Sequence, residues 1–174
     1  MAGTIRGFVA LDRGDPAVAE LDARAVLAVV EPHNVLEPAE VGPRVLLGAA
    51  RLAAGDTVGA LRILEPVATR PGGAALLFPR RHGVAVYARA LRCAGRTDEA
   101  LGFARQAVGM PGEDVRSRVV ALRELASTLA DAGELVVARS VVTEAVQVAY
   151  GSPQVAERAA TDTLAATLGE LAST

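Results

Sequence analysis

One short pattern, repeated four times, constrains this chain more than any other feature of its sequence. A glycine is followed by a charged residue, three variable positions and an alanine. The glycines are Gly14, Gly55, Gly95 and Gly133, so successive repeats are 41, 40 and 38 residues apart. A repeat of this length is typical of helical solenoids, in which each unit packs on its neighbours.

Each position of the pattern has a mechanical role. Glycine adopts the left-handed backbone conformation that ends a helix, so each glycine is predicted to close the first helix, A, of a pair. The alanine five residues later falls one turn into the second helix, B, where a small side chain allows close helix packing. Acidic residues suit the positive start of helix B. Those residues are Asp15, Asp56, Asp98, Glu99 and Glu134.

Apolar residues recur at helical spacing around these turns, as in Leu47, Ala50, Leu61 and Leu64, and no comparable stretch alternates with period two. Prolines fall between the predicted helices or in a first turn, except Pro66, which is expected to kink its helix or end it early. The predicted helices span residues 4–13, 17–31, 42–54, 57–69, 80–94, 97–109, 115–132, 135–150 and 153–171.

Composition supports one folded, all-helical domain over residues 1–174. The chain is 51% hydrophobic and 22% charged, which excludes disorder. Aromatic residues make up only 3%, so the core must close through intimate helix contact. No apolar stretch approaches the ~20 residues of a membrane span, and the N-terminus lacks a secretory apolar region. We therefore expect a cytoplasmic protein with no membrane partner.

Charge and reactive residues argue against catalysis and nucleic-acid binding. The net charge of −2 leaves no general positive field, so direct nucleic-acid binding is not expected. One cysteine, Cys93, and two histidines, His33 and His82, exclude an intrachain disulfide and leave few metal ligands. No phosphate-binding, metalloprotease or serine-hydrolase motif is present. The sequence predicts a protein that is not an enzyme, with no cofactor and no metal.

The repeat resembles the tetratricopeptide repeat (TPR). The helix A pairs Leu47-Gly48, Tyr87-Ala88 and Leu125-Ala126 match its pattern, as do the small helix B residues Ala107 and Ala145. Val26 and Val67 depart from the second small position, and Arg51 stands where a large apolar residue is usual. The repeats exceed the ~34 residues of the standard motif and are similar to arrays in bacterial multidomain transcriptional regulators and signalling ATPases. The implied solenoid has about four helix pairs, at residues 4–33, 39–71, 78–111 and 113–151, and a capping helix at 153–172.

This resemblance implies that a protein or peptide partner binds in a concave groove on the A helices, within a regulatory or signalling protein. The groove is expected to be apolar at one end and charged at the other. The residues at the family's inward positions are Val45, Leu46, Ala49, Leu52, His82, Ala85, Val86, Arg89, Arg92, Cys93, Val120, Arg123, Glu124, Ser127 and Asp131.

Several of these residues have two interpretations. The arginines either bind a carboxylate through paired hydrogen bonds, or solvate the surface and pair with Glu124 and Asp131. His82, with Arg80 and Arg81, either contacts an anion at a helix N-terminus or lies in a solvated loop-to-helix junction. Cys93 is interpreted as a packed small residue, since no activating histidine lies near it in the chain.

Two further hypotheses remain open. The chain could sense a small molecule held at the apolar groove end around Val45, Leu46 and Leu52. A short first helix is also expected to leave Phe8, Val9 and Leu11 poorly covered. Because solenoid ends need polar caps, this predicts either a homodimer through the N-terminal repeats or, in a longer protein, docking of this end on the preceding segment.

Overall fold

Nine α-helices and no strand make up the residues that the computed structural model describes, which are 2–29, 38–70, 77–112, 114–151 and 155–171. The predicted all-α class is confirmed. The helices are α1 (Ala2–Asp12), α2 (Pro16–Leu27), α3 (Pro38–Ala53), α4 (Thr57–Thr69), α5 (Leu77–Cys93), α6 (Thr97–Gly109), α7 (Val115–Asp131), α8 (Leu135–Tyr150) and α9 (Val155–Glu170). Helices α3 and α5 begin about one turn earlier than predicted.

The turn glycines behave as the pattern predicts. Gly14, Gly55, Gly95 and Gly133 have φ of 79°, 82°, 75° and 82°, and each ends an odd-numbered helix. The Asp15 carboxylate caps α2 by accepting a hydrogen bond from the Val18 N–H at 3.1 Å. Asp56 caps α4 in the same way. Arg96 and Glu134 stand at the corresponding positions of α6 and α8 without a side-chain cap, so the turn depends on glycine more than on the residue after it.

The helices form two layers. The odd-numbered helices pack on one another in chain order, from α1 through α3, α5 and α7 to α9. Each of α2, α4, α6 and α8 packs on the odd-numbered helices before and after it, as an outer layer. The helix predicted to cap the array, α9, therefore lies in the inner layer beside α7. This arrangement is a TPR-like helical solenoid.

Small residues bring the two layers together. Ala19, Ala60, Ala100 and Ala138, the four alanines of the repeated pattern, are completely buried. Large aliphatic residues such as Leu64, Leu91 and Leu122 are almost fully buried in the core. The predicted close approach at the start of each outer helix is confirmed.

Of the two outcomes expected at Pro66, an early end of the helix does not occur: α4 continues to Thr69, as its predicted bounds require. A proline lacks the N–H that would bond to the carbonyl four residues earlier. That carbonyl belongs to Arg62, which is exposed, so water can hydrate it. None of the described helices is long and apolar enough to span a membrane.

A candidate binding cavity on the inner face

A cavity of about 310 Å³ lies on the inner layer and is lined by residues from all five odd-numbered helices. We call it the inner cavity. Its lining combines seven apolar residues, which we call the floor, with six polar or charged residues, which we call the rim. The lining residues are Phe8, Leu11, Asp12, Ala49, Ala53, His82, Val86, Arg89, Arg116, Val120, Arg123, Glu157 and Ala160.

Arg116 links the two ends of the inner layer. Its Nη2 donates to the Asp12 carboxylate of α1 at 2.8 and 3.1 Å, and its Nε donates to Glu157 of α9 at 3.1 Å. The same guanidinium lies 5.6 Å from the centroid of the Phe8 ring, at cation–π distance. Since α1 and α9 both reach one residue of α7, the inner layer must curve into a concave face.

The other arginines of this face are also paired with carboxylates. Arg123 Nη1 donates to the second oxygen of Glu157 at 2.7 Å. Arg89 Nε donates to Glu124 at 2.8 Å, and the negative charge of Glu124 raises the pKa of Arg89. Glu124 is only 3% exposed, so Arg89 is held by a buried partner.

The rim continues beyond the cavity through Arg92. Its Nη1 donates to Asp131 at 3.1 Å, and its Nη2 lies 3.8 Å from Glu124. The interpretation in which Arg89 and Arg92 pair with Glu124 and Asp131 is therefore the one that the structure supports.

His82 lies in the second turn of α5 and faces the inner cavity, because α5 begins at Leu77 rather than at residue 80. It is therefore neither a solvated junction nor the N-terminus of a helix. Its ring packs edge-on against Phe8, with centroids 5.7 Å apart. Burial, together with the positive charges of Arg116, Arg89 and Arg123, lowers the pKa of His82 to about 3. His82 is thus a neutral imidazole at physiological pH.

The two arginines before His82, Arg80 and Arg81, have a structural role. Arg80 donates to the carbonyl oxygen of Val67 at 3.1 Å and to that of Arg70 at 2.9 Å, at the end of α4. Arg81 donates to the carbonyl oxygen of Gly112 at 3.0 Å, just after α6. Cations at helix C-termini offset the negative end of the helix dipole, so these residues cap two outer helices.

Six of the residues at the predicted inward positions line the inner cavity: Ala49, His82, Val86, Arg89, Val120 and Arg123. Leu52 packs against the core, and Glu124 lies buried behind Arg89. Arg92, Ser127 and Asp131 lie toward the ends of α5 and α7 and do not line the cavity.

Val45 and Leu46 are core residues, with exposed fractions of 1% and 0%. Leu46 packs against Gly7 of α1 and Val45 against Gly83 of α5, where the absence of a Cβ leaves room for them. Neither can contact a ligand at the surface. A small-molecule site around Val45, Leu46 and Leu52 is therefore excluded at that place.

The sequence interpretation missed the contributions of α1 and α9 to this face. Phe8 and Leu11 were expected to lie uncovered at the N-terminal end, yet both line the inner cavity. A partial signal for Phe8 exists, because it lies six residues before its turn glycine, as do Ala49 and Arg89, although Ser127 at the same distance from Gly133 does not line the cavity.

The exposed apolar side chains of the first helix pair lie away from the cavity. Val9 is exposed, as expected, and so are Ile5 and Leu21. Whether this end forms a homodimer stays a prediction.

Cys93 is exposed at the end of α5 and is not the packed residue that was expected. It precedes the turn glycine of its repeat by two residues, where the helix leaves the core. In the part of the chain that the structure describes, no group of three or more histidine, cysteine, aspartate or glutamate residues could hold a metal ion.

The comparisons with known proteins establish the fold alone. No family model matches the sequence, and no curated protein matches it. A crystal structure of the TPR-like repeats of a putative kinesin light chain from Podosopora anserina is similar, with a TM-score of 0.57 and 16% sequence identity. A structure of a variant of those repeats has a TM-score of 0.58 at the same identity. Both alignments cover 97% of this chain and 84% of the other.

Proposed function

We propose that this chain is a protein-interaction module that binds a segment of a partner protein across its concave inner face. The observation that carries the proposal is the convergence of five helices on the inner cavity. An apolar floor surrounded by a charged rim has the anatomy of a protein interface, in which arginine and aromatic residues are enriched. TPR-like folds commonly present such a surface on their inner helices.

The paired arginines support recognition of a segment because they are ordered before a partner arrives. Arg116 and Arg123 share Glu157, and Arg89 is held by Glu124. Binding costs free energy for each long side chain that must be immobilised, at about 0.5–1.5 kcal/mol. Side chains already fixed by ion pairs avoid much of that cost, and their remaining N–H groups can donate to a partner.

The test compares how well two variants capture a partner. Each variant introduces a tryptophan, one on the inner layer and one on the outer layer. Ala53 is exposed and lines the inner cavity, so Ala53→Trp fills the cavity with little effect on the core. Ser140 is exposed on the outer helix α8, and Ser140→Trp places the same side chain on the other layer. A partner recovered by the wild type and by Ser140→Trp, but not by Ala53→Trp, supports the proposal. Equal recovery by both variants refutes the placement on the inner face.

We place this module in a bacterial regulatory or signalling protein of the cytoplasm because its long repeats are similar to the arrays of such proteins. The genomic sequence on either side of the segment tests this role directly. A DNA-binding or ATPase domain in the same reading frame supports it, and a secretion signal upstream contradicts it.

A further inference from the structure

The inner cavity also has the features of a small-ligand site, and we propose that it binds an amphipathic organic monocarboxylate. The carboxylate lies at Arg123 and His82, and the hydrocarbon part lies on the apolar floor. This inference goes beyond the partner binding proposed above, because the ligand is a free small molecule and its binding can be measured without a partner.

The size of the cavity limits the ligand. A volume of about 310 Å³ is that of about ten water molecules at ~30 Å³ each, so a ligand of about ten non-hydrogen atoms fits. This is the lower end of the range for small-molecule pockets. Phe8 and Leu11 are partly exposed in the cavity and offer it apolar surface beside the charged residues, so a ligand with both a hydrocarbon part and a polar group suits the lining.

Hydrogen-bond donors in the wall lack acceptors. Arg123 uses only Nη1, for Glu157, and its Nε and Nη2 make no hydrogen bond to any described residue. The ring nitrogens of His82 likewise have no hydrogen-bond partner within the described ranges, although the side chain is half-buried in the cavity wall. Neither residue contributes a buried polar atom without a partner, so these donors face the open cavity. Since a neutral imidazole and a guanidinium can both donate, the ligand group that suits them is an acceptor.

The charges favour a single negative charge. The wall carries the guanidinium groups of Arg89, Arg116 and Arg123 and the carboxylates of Asp12 and Glu157. Glu124 offsets Arg89 from behind the wall, so the charges nearly balance and a phosphate-like dianion would meet excess repulsion. The guanidinium groups of all three arginines are nevertheless near enough to His82 to add to the effect of burial in lowering its pKa. Burial lowers the pKa of Arg123 as well, although Glu157 acts in the opposite direction.

The test uses octanoate, which has an apolar chain and one carboxylate, with octanamide and octylamine as probes of matched length. Isothermal titration calorimetry measures affinity, and NMR follows the His82 imidazole, assigned by the loss of its signals in His82→Gln. We expect octanoate to bind about tenfold or more tightly than octanamide, because hydrogen bonds to charged groups are the stronger ones. Octylamine should not bind. The NMR signals of the His82 imidazole should shift when octanoate is added at neutral pH, where the ligand is a carboxylate.

Variants locate the carboxylate. Arg123→Gln should weaken octanoate binding by on the order of tenfold or more, whereas Arg105→Gln, on an exposed position of the outer helix α6, should not change it. If Arg123→Gln fails to fold, as judged by circular dichroism, Ala53→Trp replaces it and should abolish binding by filling the cavity.

Equal affinity for octanoate and octanamide would overturn the proposal. Unchanged octanoate binding in Ala53→Trp would overturn it as well. Those results would leave the capture of a protein partner untouched. Conversely, partner capture that does not depend on the inner face would leave octanoate binding intact, so the two proposals fail separately.

Discussion

His82 is the residue whose surroundings most change its chemistry. In the folded protein its pKa is about 3, whereas an imidazole in the unfolded chain has a pKa near ~6.5. Between these values the unfolded chain binds one proton that the folded chain does not, so stability rises with pH. The stability that the folded protein gains from keeping His82 neutral is complete above pH ~6.5 and is lost as the pH falls below that value.

This difference predicts that mild acid destabilises the wild type. Between pH 6.5 and 5 the free energy of unfolding should fall by up to about 2 kcal/mol, at ~1.4 kcal/mol per pH unit. In His82→Gln this fall should be absent or small. Urea unfolding followed by circular dichroism at several pH values measures both curves.

Between pH 6.5 and 5, the difference in stability between the wild type and His82→Gln reports on His82 for two reasons. Hydrogen bonds lower the pKa of some carboxyls, such as Asp56, which accepts one from the Gly59 N–H, so these groups affect stability only at lower pH. His33 is present in both proteins and cancels in the comparison. Parallel pH curves for the two proteins would contradict the interpretation of His82 as a neutral, buried group.

At the scale of helices, close approach depends on glycines within the inner helices as well as on the repeated alanines. Gly48 of α3 faces the Leu64 side chain of α4, and a Cβ at Gly48 would overlap with it. Gly102 of α6 is exposed, and a Cβ added there would meet no atom within 4 Å. Two glycines in similar helices therefore stand in opposite environments.

The same substitution at these two glycines should have opposite effects. Gly48→Ala should destabilise the protein by about 1–3 kcal/mol, because a packed core must shift to admit a methyl group. Gly102→Ala should stabilise it by about 0.5–1 kcal/mol, because alanine is the better helix former and nothing obstructs it. Thermal or urea unfolding of both variants checks the pair, and stabilisation by Gly48→Ala would show that α3 and α4 are not packed as described.

At the scale of the molecule, Arg116 joins residues that are far apart in the chain. It bonds to Asp12, 104 residues away, and to Glu157, 41 residues away. These contacts connect α1 and α9 across the concave face, so they oppose straightening of the array. Solenoids otherwise lack contacts between distant repeats.

Loss of this link should loosen both ends of the inner layer. In Arg116→Gln, hydrogen exchange measured by mass spectrometry should speed up in α1 and α9 and stay unchanged in α4 and α6. Arg118→Gln is a matched control, because Arg118 lies on the same helix but pairs with Glu144 of α8 at 2.8 Å. An equal response of α1 to the two variants would mean that the link across the face does not hold the ends together.

The helices and their pairing could be read from the sequence because their causes are local. The turn at Gly55, the cap at Asp56 and the small side chain of Ala60 act within one or two helical turns of each other. Those signals predicted where the helices lie in the chain and how they pair into two layers. They also placed Ala49 and Arg89 on the inner face, since a fixed distance from the turn glycine determines which way a helical residue points.

The curvature of the array could not be read in this way, because it accumulates from a small rotation at each successive helix pair. That curvature brings Phe8 and Glu157, near opposite ends of the chain, to the same cavity. It also decides the chemistry of His82, whose pKa depends on arginines from α5 and α7. The sequence by itself therefore determined a helical repeat with an inner face. Only the tertiary structure determined which residues meet there, because their contacts depend on the sum of all the packing angles between them.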